Sequence, residues 1–397
     1  MSSSTEKECI SSTSATSDKY RPFAISKFNS LMGKYNTTNA SYWKLGNSFD
    51  TLIDYLANID SSPADPVARV VLQQYPIALA NLGGYNGAWF DDLGWWTAAT
   101  QRATTMPFFS SASKDGLNKI MVACWPGFTG NAPYVWDRRK PGTFDNYRPA
   151  VDGGVWNSYW AGTSSEYQGP KGGDPSSGTL AGIQNTVTNT VYLLSAQRLA
   201  SSYPGASNDA QREFRFLNTW FSTNPNPLWW QRTKLEALVR ERVSHFFNGM
   251  DALGFQQDWA WTGDQGLMVG ALTDRIDLMT VSPDERAALL ILIKQLLEGV
   301  KTYLTDSNGL LMPYTSTGTV PDGDTGDYAT GPGVFWRNVL HVWKNNSDVK
   351  AFIYQPEYLK FLQGCADAVA TPPSGNDTFD SLTNDLSVLV AATVILP

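Results

Sequence analysis

Helix-period segments follow one another along this chain with almost no strand-like alternation, and that succession limits the fold more than any other feature. Apolar positions spaced for a helix run through Phe23–Tyr35, Tyr42–Asn58, Pro66–Leu82, a segment opening near Asp91, and Gly116–Trp125. The pattern resumes at Ile183–Ser201, Ala210–Ser222, Lys234–Asn248 and Gln265–Leu272, then at Val334–Lys344, Pro356–Val369 and Ser381–Ile395. The sharpest start is Ser282-Pro283-Asp284-Glu285 before an apolar run to Leu304. Ser is placed to cap, Pro fits the first helical position, and Glu three residues on is placed to close a capping box. About a dozen helices joined as antiparallel hairpins predict an all-α fold, a closed (α/α)6 barrel or six-hairpin toroid with its cleft at one end. An open helical solenoid is the alternative, and no fixed-length repeat supports it.

The 397 residues exceed the needs of one small core. No boundary is visible after residue 20, so 20–397 is expected to be one domain, behind a flexible Ser/Thr-rich segment at 1–19. Residues 126–180, rich in Gly, Pro, Asn and Trp and without periodicity, are expected to form an ordered active-site rim. A net charge of −7 without a Lys/Arg run argues against nucleic acid as a partner. No segment has the length of a membrane span, and no apolar leader opens the chain. Two histidines, His245 and His341, exclude a His-rich metal centre, and both are expected to be packed helix residues. Three widely spaced cysteines, Cys9, Cys124 and Cys365, give neither zinc spacing nor a disulfide framework, although one bridge is open to them. No cofactor or metal is expected, and the chain is expected to be a monomer.

The chemistry concentrates in Asn86-Gly87-Ala88-Trp89-Phe90-Asp91-Asp92-Leu93-Gly94-Trp95-Trp96. Adjacent carboxylates among aromatics repel one another in poorly screened surroundings, so one is expected to keep its proton to higher pH than the other. A proton donor beside an ionised carboxylate is what glycosidic bond cleavage requires. Tryptophan faces suit the apolar face of a sugar ring. The competing explanation is that Asp-Asp merely opens a helix and Trp95 and Trp96 pack the core.

Further polar groups sit in patterns that fit a glycan cleft. Asn185 and Asn189, four apart, share one face of a helix, where they either meet sugar hydroxyls or bridge neighbouring backbone. Trp259-Ala260-Trp261-Thr262-Gly263-Asp264-Gln265-Gly266 pairs two tryptophans with an acid and an amide at a helix start. Gly153-Gly154-Val155-Trp156 and Gly331-Pro332-Gly333-Val334-Phe335-Trp336-Arg337 are Gly-aromatic turns, neither resembling a phosphate cradle.

Together these segments resemble glycoside hydrolase family 76, the endo-α-1,6-mannanases and their fungal relatives. The resemblance rests on Asp91-Asp92 with Trp95-Trp96, on Gly153-Gly154-Val155-Trp156, on Asn185 and Asn189, on Trp261 to Gly266, and on Gly333 to Arg337. It implies an (α/α)6 barrel and retaining hydrolysis of an α-linked glycan, most simply α-1,6-mannan. Asp91 would be the nucleophile and Asp92 the general acid/base. Trp95, Trp96, Trp156, Asn185, Asn189, Trp261, Asp264, Gln265 and Phe335 would contact an oligosaccharide or polysaccharide substrate. Adjacent side chains can reach the roughly 5–5.5 Å carboxyl separation of a retaining enzyme. The family context suggests a secreted or wall-associated protein. Asn157 stands where the family often has a second Trp, and Gly263-Asp264-Gln265-Gly266 replaces a common Tyr-Asn-Gln-Gly. The alternatives are a glycan transglycosylase on the same scaffold, a non-catalytic glycan-binding protein, and a sugar epimerase, the last disfavoured by the scarcity of histidine.

Overall fold

Ser282 caps its helix as the sequence predicts: its side chain accepts a hydrogen bond from the Glu285 N–H at 3.2 Å. The Glu285 carboxylate, however, does not close the box. It pairs with Arg275 on the preceding helix, at 2.9 Å from Nη2, so a tertiary ion pair replaces the local cap.

The computed structural model describes residues 14–37, 40–85, 89–129, 154–155, 185–222, 229–231, 235–241, 260–277, 281–315 and 325–397. The helices are α1 (Ser14–Tyr35), α2 (Tyr42–Asn58), α3 (Ala64–Asn81), α4 (Phe90–Thr105), α5 (Ser111–Thr129), α6 (Thr186–Leu199) and α7 (Ala206–Ser222). After short strands β1 (Trp229–Gln231), β2 (Ala237–Val239) and β3 (Ala260–Trp261) come α8 (Thr262–Ile276) and α9 (Pro283–Tyr303). Strand β4 (Tyr314–Thr315) precedes α10 (Thr325–Tyr328), α11 (Gly331–Asn345), α12 (Ser347–Ile353), α13 (Pro356–Val369) and α14 (Phe379–Ile395). The strands pair antiparallel as β1–β2 and β3–β4. The helix expected over Lys234–Asn248 is therefore corrected at 237–239, where Ala237, Leu238 and Val239 are fully covered strand residues; 242–248 lie outside the described residues. Helix α1 also starts earlier than Phe23, inside the segment expected to be flexible, and runs through Pro22.

Six helices form a closed ring: α2 packs on α4, α4 on α6, α6 on α8, α8 on α11, α11 on α14, and α14 back on α2. The others lie outside it, with α3 on α2, α5 on α4, α7 on α6, α9 on α8, α12 on α11, and α13 and α1 on α14. This is the (α/α)6 barrel that the helical succession predicts. The chain returns along the outside between successive inner helices, and cross-ring contacts such as Ser48–Thr383 and Thr51–Ser387 join matching depths, so the inner helices run parallel with their N-termini at one end.

Inner helices are covered along most of their length, so most of their buried polar side chains find partners inside. Thr97, Thr100, Thr273, Thr383 and Ser387 each donate to the carbonyl four residues back. Gly266 lets α8 approach α11: a Cβ there would lie 2.5 Å from the Phe335 Cα. The ring is fastened where the chain's first and last helices meet. Lys27, 3% exposed, sits between Asp377 at 3.2 Å and Asp385 at 2.7 Å, and the Tyr20 hydroxyl donates to Asp367 at 2.7 Å.

At the C-terminal end of the inner helices lies a network of charges. Arg102 reaches Asp50 at 2.8 Å and also Asp54; Arg337 reaches Asp50 at 2.8 Å; Arg198 and His341 reach Asp274 at 2.9 and 2.5 Å. Burial opposes ionisation of Asp50 and Asp274. The basic groups beside them outweigh it, Arg337 and Arg102 for Asp50, His341 and Arg198 for Asp274, holding both carboxyls at about 2. His341 is thus a structural partner, as its sequence setting suggests, while His245 lies outside the described residues. Cys124 and Cys365 are buried free thiols, and Cys9 lies outside the described residues.

Outer helix α7 carries the opposite case. Glu213 is fully covered, its carboxyl oxygens have no hydrogen-bond partner among the described residues, and burial raises its proton affinity well above the carboxylate range. A carboxyl that keeps its proton only in the folded chain costs stability as pH rises from the unfolded value upward. Glu213→Gln should therefore raise the melting temperature at pH 7–8 by at least ~2 °C and leave it unchanged near pH 4. An equal effect at both pH values, followed by calorimetry, would show that packing rather than ionisation governs this position.

Candidate active site

The parallel inner helices bring six N-termini to one end, and acidic residues collect there: Asp91 and Asp92 in α4, Asp264 in α8, and Asp380 in α14. Basic residues occupy the last turns at the other end, with Arg102, Arg198, Arg275 and Lys344. Both placements complement the helix dipoles.

Asp91 and Asp92 occupy the first turn of α4, and consecutive positions on a helix point about 100° apart. They consequently meet different surroundings. Asp92 is 4% exposed, and its Oδ2 accepts the Trp89 N–H at 3.0 Å, a reach back to the residue preceding the helix. Asp91 is half-buried, and its Oδ1 accepts the Thr188 hydroxyl of α6 at 3.3 Å. Burial pushes the Asp91 carboxyl up to about 7, with the charges of Asp327 and Glu241 adding to it. Burial and then the neighbouring Asp91 charge push Asp92 well above the carboxylate range. The pair thus holds a proton on its deeper member while the more accessible one can ionise. Asp92 also caps its own helix through that contact, so the capping explanation open at the sequence level describes this residue.

The amides expected to meet sugar hydroxyls are instead clamps on backbone. Asn189, fully covered, accepts from the Val155 N–H at 2.8 Å and donates to the Val155 carbonyl at 3.2 Å and the Asn185 carbonyl at 2.8 Å. Gln265 repeats this on α8, accepting from Val239 N–H at 2.8 Å and donating to Val239 O at 2.6 Å and Trp261 O at 3.0 Å. Each amide fastens the segment before its helix and commits both N–H donors doing so. Asn185 caps α6, its side chain accepting from Thr188 N–H at 3.2 Å.

The rings expected as sugar platforms are largely in the core. Trp95, Trp96 and Phe335 are 3%, 0% and 0% exposed. Trp96 donates to the Tyr42 carbonyl at 2.9 Å and meets the Tyr75 ring edge-on at 4.9 Å. Asp264 is likewise fully covered, and Trp261, 6% exposed, donates to the Tyr328 carbonyl at 3.0 Å. For Trp95, Trp96 and Phe335 the physical reason is depth: a residue a turn inside an inner helix has helices on every side. Trp156 lies outside the described residues, as does most of 126–180 apart from the end of α5 and Gly154–Val155.

Half-buried aromatics stand instead at the helix ends. Trp89 precedes α4, and Trp43, in the first turn of α2, tilts against Trp95 at 5.8 Å. Tyr314 and Tyr328 lie 5.5 Å apart, beside Trp261. Thr188, Glu241 and Asp327 also belong to the surroundings of the aspartate pair. Sequence reasoning passes over all of them except Trp89, which stands in the aspartate run itself; for Trp43 and Thr188 the usable signal is position within the first turn of a predicted inner helix. Among the described residues no group of three or more His, Cys, Asp and Glu side chains is arranged to hold a metal ion, and no helix is long and apolar enough to cross a membrane.

No protein-family model and no curated relative matches the chain. Solved structures do. The α-1,6-mannanase GH76A from Salegentibacter sp. HEL1_6 superposes with a TM-score of 0.61 at 15% identity, covering 95% of this chain and 99% of that one. An inactive variant of that enzyme, altered at two consecutive aspartates and bound to α-1,6-mannotetrose, gives 0.62 at 15% identity with the same coverage. Dfg5 from Chaetomium thermophilum, in complex with glucosamine, gives 0.60 at 15% identity, covering 95% of this chain and 90% of that one. The chain therefore has the (α/α)6 barrel fold of the glycoside hydrolase family 76 α-1,6-mannanases.

Proposed function

We propose that the chain is a retaining glycosidase of the family 76 type, cleaving α-1,6-linked mannan with Asp91 as nucleophile and Asp92 as general acid/base. One observation carries the reading. Two consecutive carboxyls sit at the N-terminal end of the inner helices, the deeper one built to keep a proton and the shallower one able to ionise. That the Salegentibacter mannanase is inactive when two consecutive aspartates are altered supports it.

In this mechanism an ionised Asp91 oxygen attacks the anomeric carbon. The glycosidic C–O bond breaks, and the departing oxygen takes the Asp92 proton. Water then attacks the glycosyl ester, returning a proton to Asp92 and the carboxylate to Asp91. A glycan hydroxyl in place of water turns the same cycle into transglycosylation, a second reading that the likeness to Dfg5 supports. The half-buried rings of Trp43 and Trp89 are the platforms we assign to the sugar faces.

Incubated with linear α-1,6-mannan, the protein should release oligosaccharides resolved by size, and Asp91→Asn should lower turnover on the order of 10³-fold or more while the fold persists. Undiminished release by that variant removes Asp91 as nucleophile; lengthened products that depend on an added acceptor identify a transferase. Asp92→Asn should slow aryl glycosides with poor leaving groups far more than those with good ones, because only the former need the proton. Uniform slowing would take the acid role away from Asp92. Since Asp91 must be ionised and Asp92 protonated, kcat/KM should rise with pH through about 7 and fall at higher pH. An optimum at pH 4–5 would contradict the surroundings described for the pair.

A further inference from the structure

Buried threonines of the ring mostly turn their hydroxyls back onto their own helix, as Thr97, Thr100, Thr273 and Thr383 do. Thr188 does not. It lies in the first turn of α6, so the residue four before it, Gln184, precedes the helix, and its hydroxyl crosses instead to Asp91 on α4 at 3.3 Å. Thr188 is fully covered, and its backbone N–H is held by the Asn185 cap at 3.2 Å. Two neighbours add to the fixing of this turn: the Thr186 N–H donates to the Glu241 carbonyl at 2.8 Å, and the Thr186 hydroxyl to the Arg240 carbonyl at 2.6 Å. The donor therefore reaches Asp91 from a turn that cannot readily rotate.

Among the described residues, the charges that raise Asp91 are carboxylates: Asp327 on α10 and Glu241 after β2, with Asp92 coupled beside it. Support for a negative charge on Asp91 comes from the Thr188 hydroxyl and the Asp91 backbone N–H. A hydroxyl donating to a carboxylate stabilises the charged form and fixes which oxygen remains free.

We infer that Thr188 is a positioning residue for Asp91: its hydroxyl occupies Oδ1, presents Oδ2 toward the sugar, and favours the ionised state that attacks. The inference rests on the glycosidase reading for its kinetic consequence, but its statement about Asp91 holds independently of the substrate.

The test compares Thr188→Val, which keeps the shape and removes the donor, with Thr188→Ser, which keeps the donor. On α-1,6-mannan, Thr188→Val should lower kcat about tenfold or more with KM little changed, and should move the acidic limb of the pH profile to higher pH. Thr188→Ser should restore both. A Thr188→Val enzyme whose acidic limb stays in place, or a Thr188→Ser enzyme as impaired as the valine variant, overturns the inference. The second measurement needs no substrate: ¹³C-carboxyl NMR titration of the ligand-free full chain, with Asp91 assigned through Asp91→Asn. The Asp91 resonance should titrate at higher pH in Thr188→Val than in the unaltered protein. An unmoved titration overturns the inference even in an active enzyme. A moved titration in a protein that leaves mannan intact upholds it, and sets aside only the mannanase reading.

Discussion

Helices covered on every side by other helices can meet substrate only at their ends, and the rest of this structure follows from that enclosure. Leu45 to Leu56 in α2 and Thr262 to Thr273 in α8 are buried without a break, so neither helix has a wet face along those stretches. Polar side chains there are turned inward to carbonyls, to each other or to charged partners, since an unpaired polar atom in such a place is costly. Small residues follow from the same constraint: Gly46 lies under the Trp96 ring, and Gly266 under the α11 backbone.

Alternation of inner and outer helices then gives the two ends different chemistry. At the C-terminal end, Asp50, Asp54 and Asp274 meet Arg102, Arg198, Arg337 and His341 in short pairs, and those basic groups hold the Asp50 and Asp274 carboxyls low. At the N-terminal end, Asp91 and Asp92 feel other acids, and burial raises both. The contrast between Asp50 and Asp92 isolates the cause. Both are buried aspartates on neighbouring inner helices, and among the described residues it is the guanidiniums beside Asp50 and the carboxylate beside Asp92 that send proton affinity opposite ways.

Much of the scaffold was legible because helix periodicity and capping are local. Tyr42–Asn58 and Pro356–Val369 have the bounds their pattern predicts, and Ser282 caps its helix. The errors arise where a distant partner wins over a local preference. Glu285 leaves the cap for Arg275, Ala237–Val239 becomes a strand because Trp229–Gln231 pairs with it, and α1 passes through Pro22 with Tyr20 and Lys27 tied to the C-terminal helices. At the site, the Asp91-Asp92 element stands out in sequence because adjacent acids among aromatics are chemically unusual. The roles of Asn189 and Gln265 do not, since an amide that clamps backbone and one that holds a sugar have the same sequence.

The sequence by itself determined the helical succession, the hairpin order that makes a ring the economical solution, and the pair of acids on which the functional reading turns. Those properties depend on residues near one another in the chain. Tertiary structure decided which tryptophans are core and which stand at the rim, which of the two aspartates lies deeper, and that Thr188, 97 positions along the chain, donates to Asp91. Burial and partnership across a ring are set by helices brought together from far apart, and no window of sequence contains both sides of such a contact.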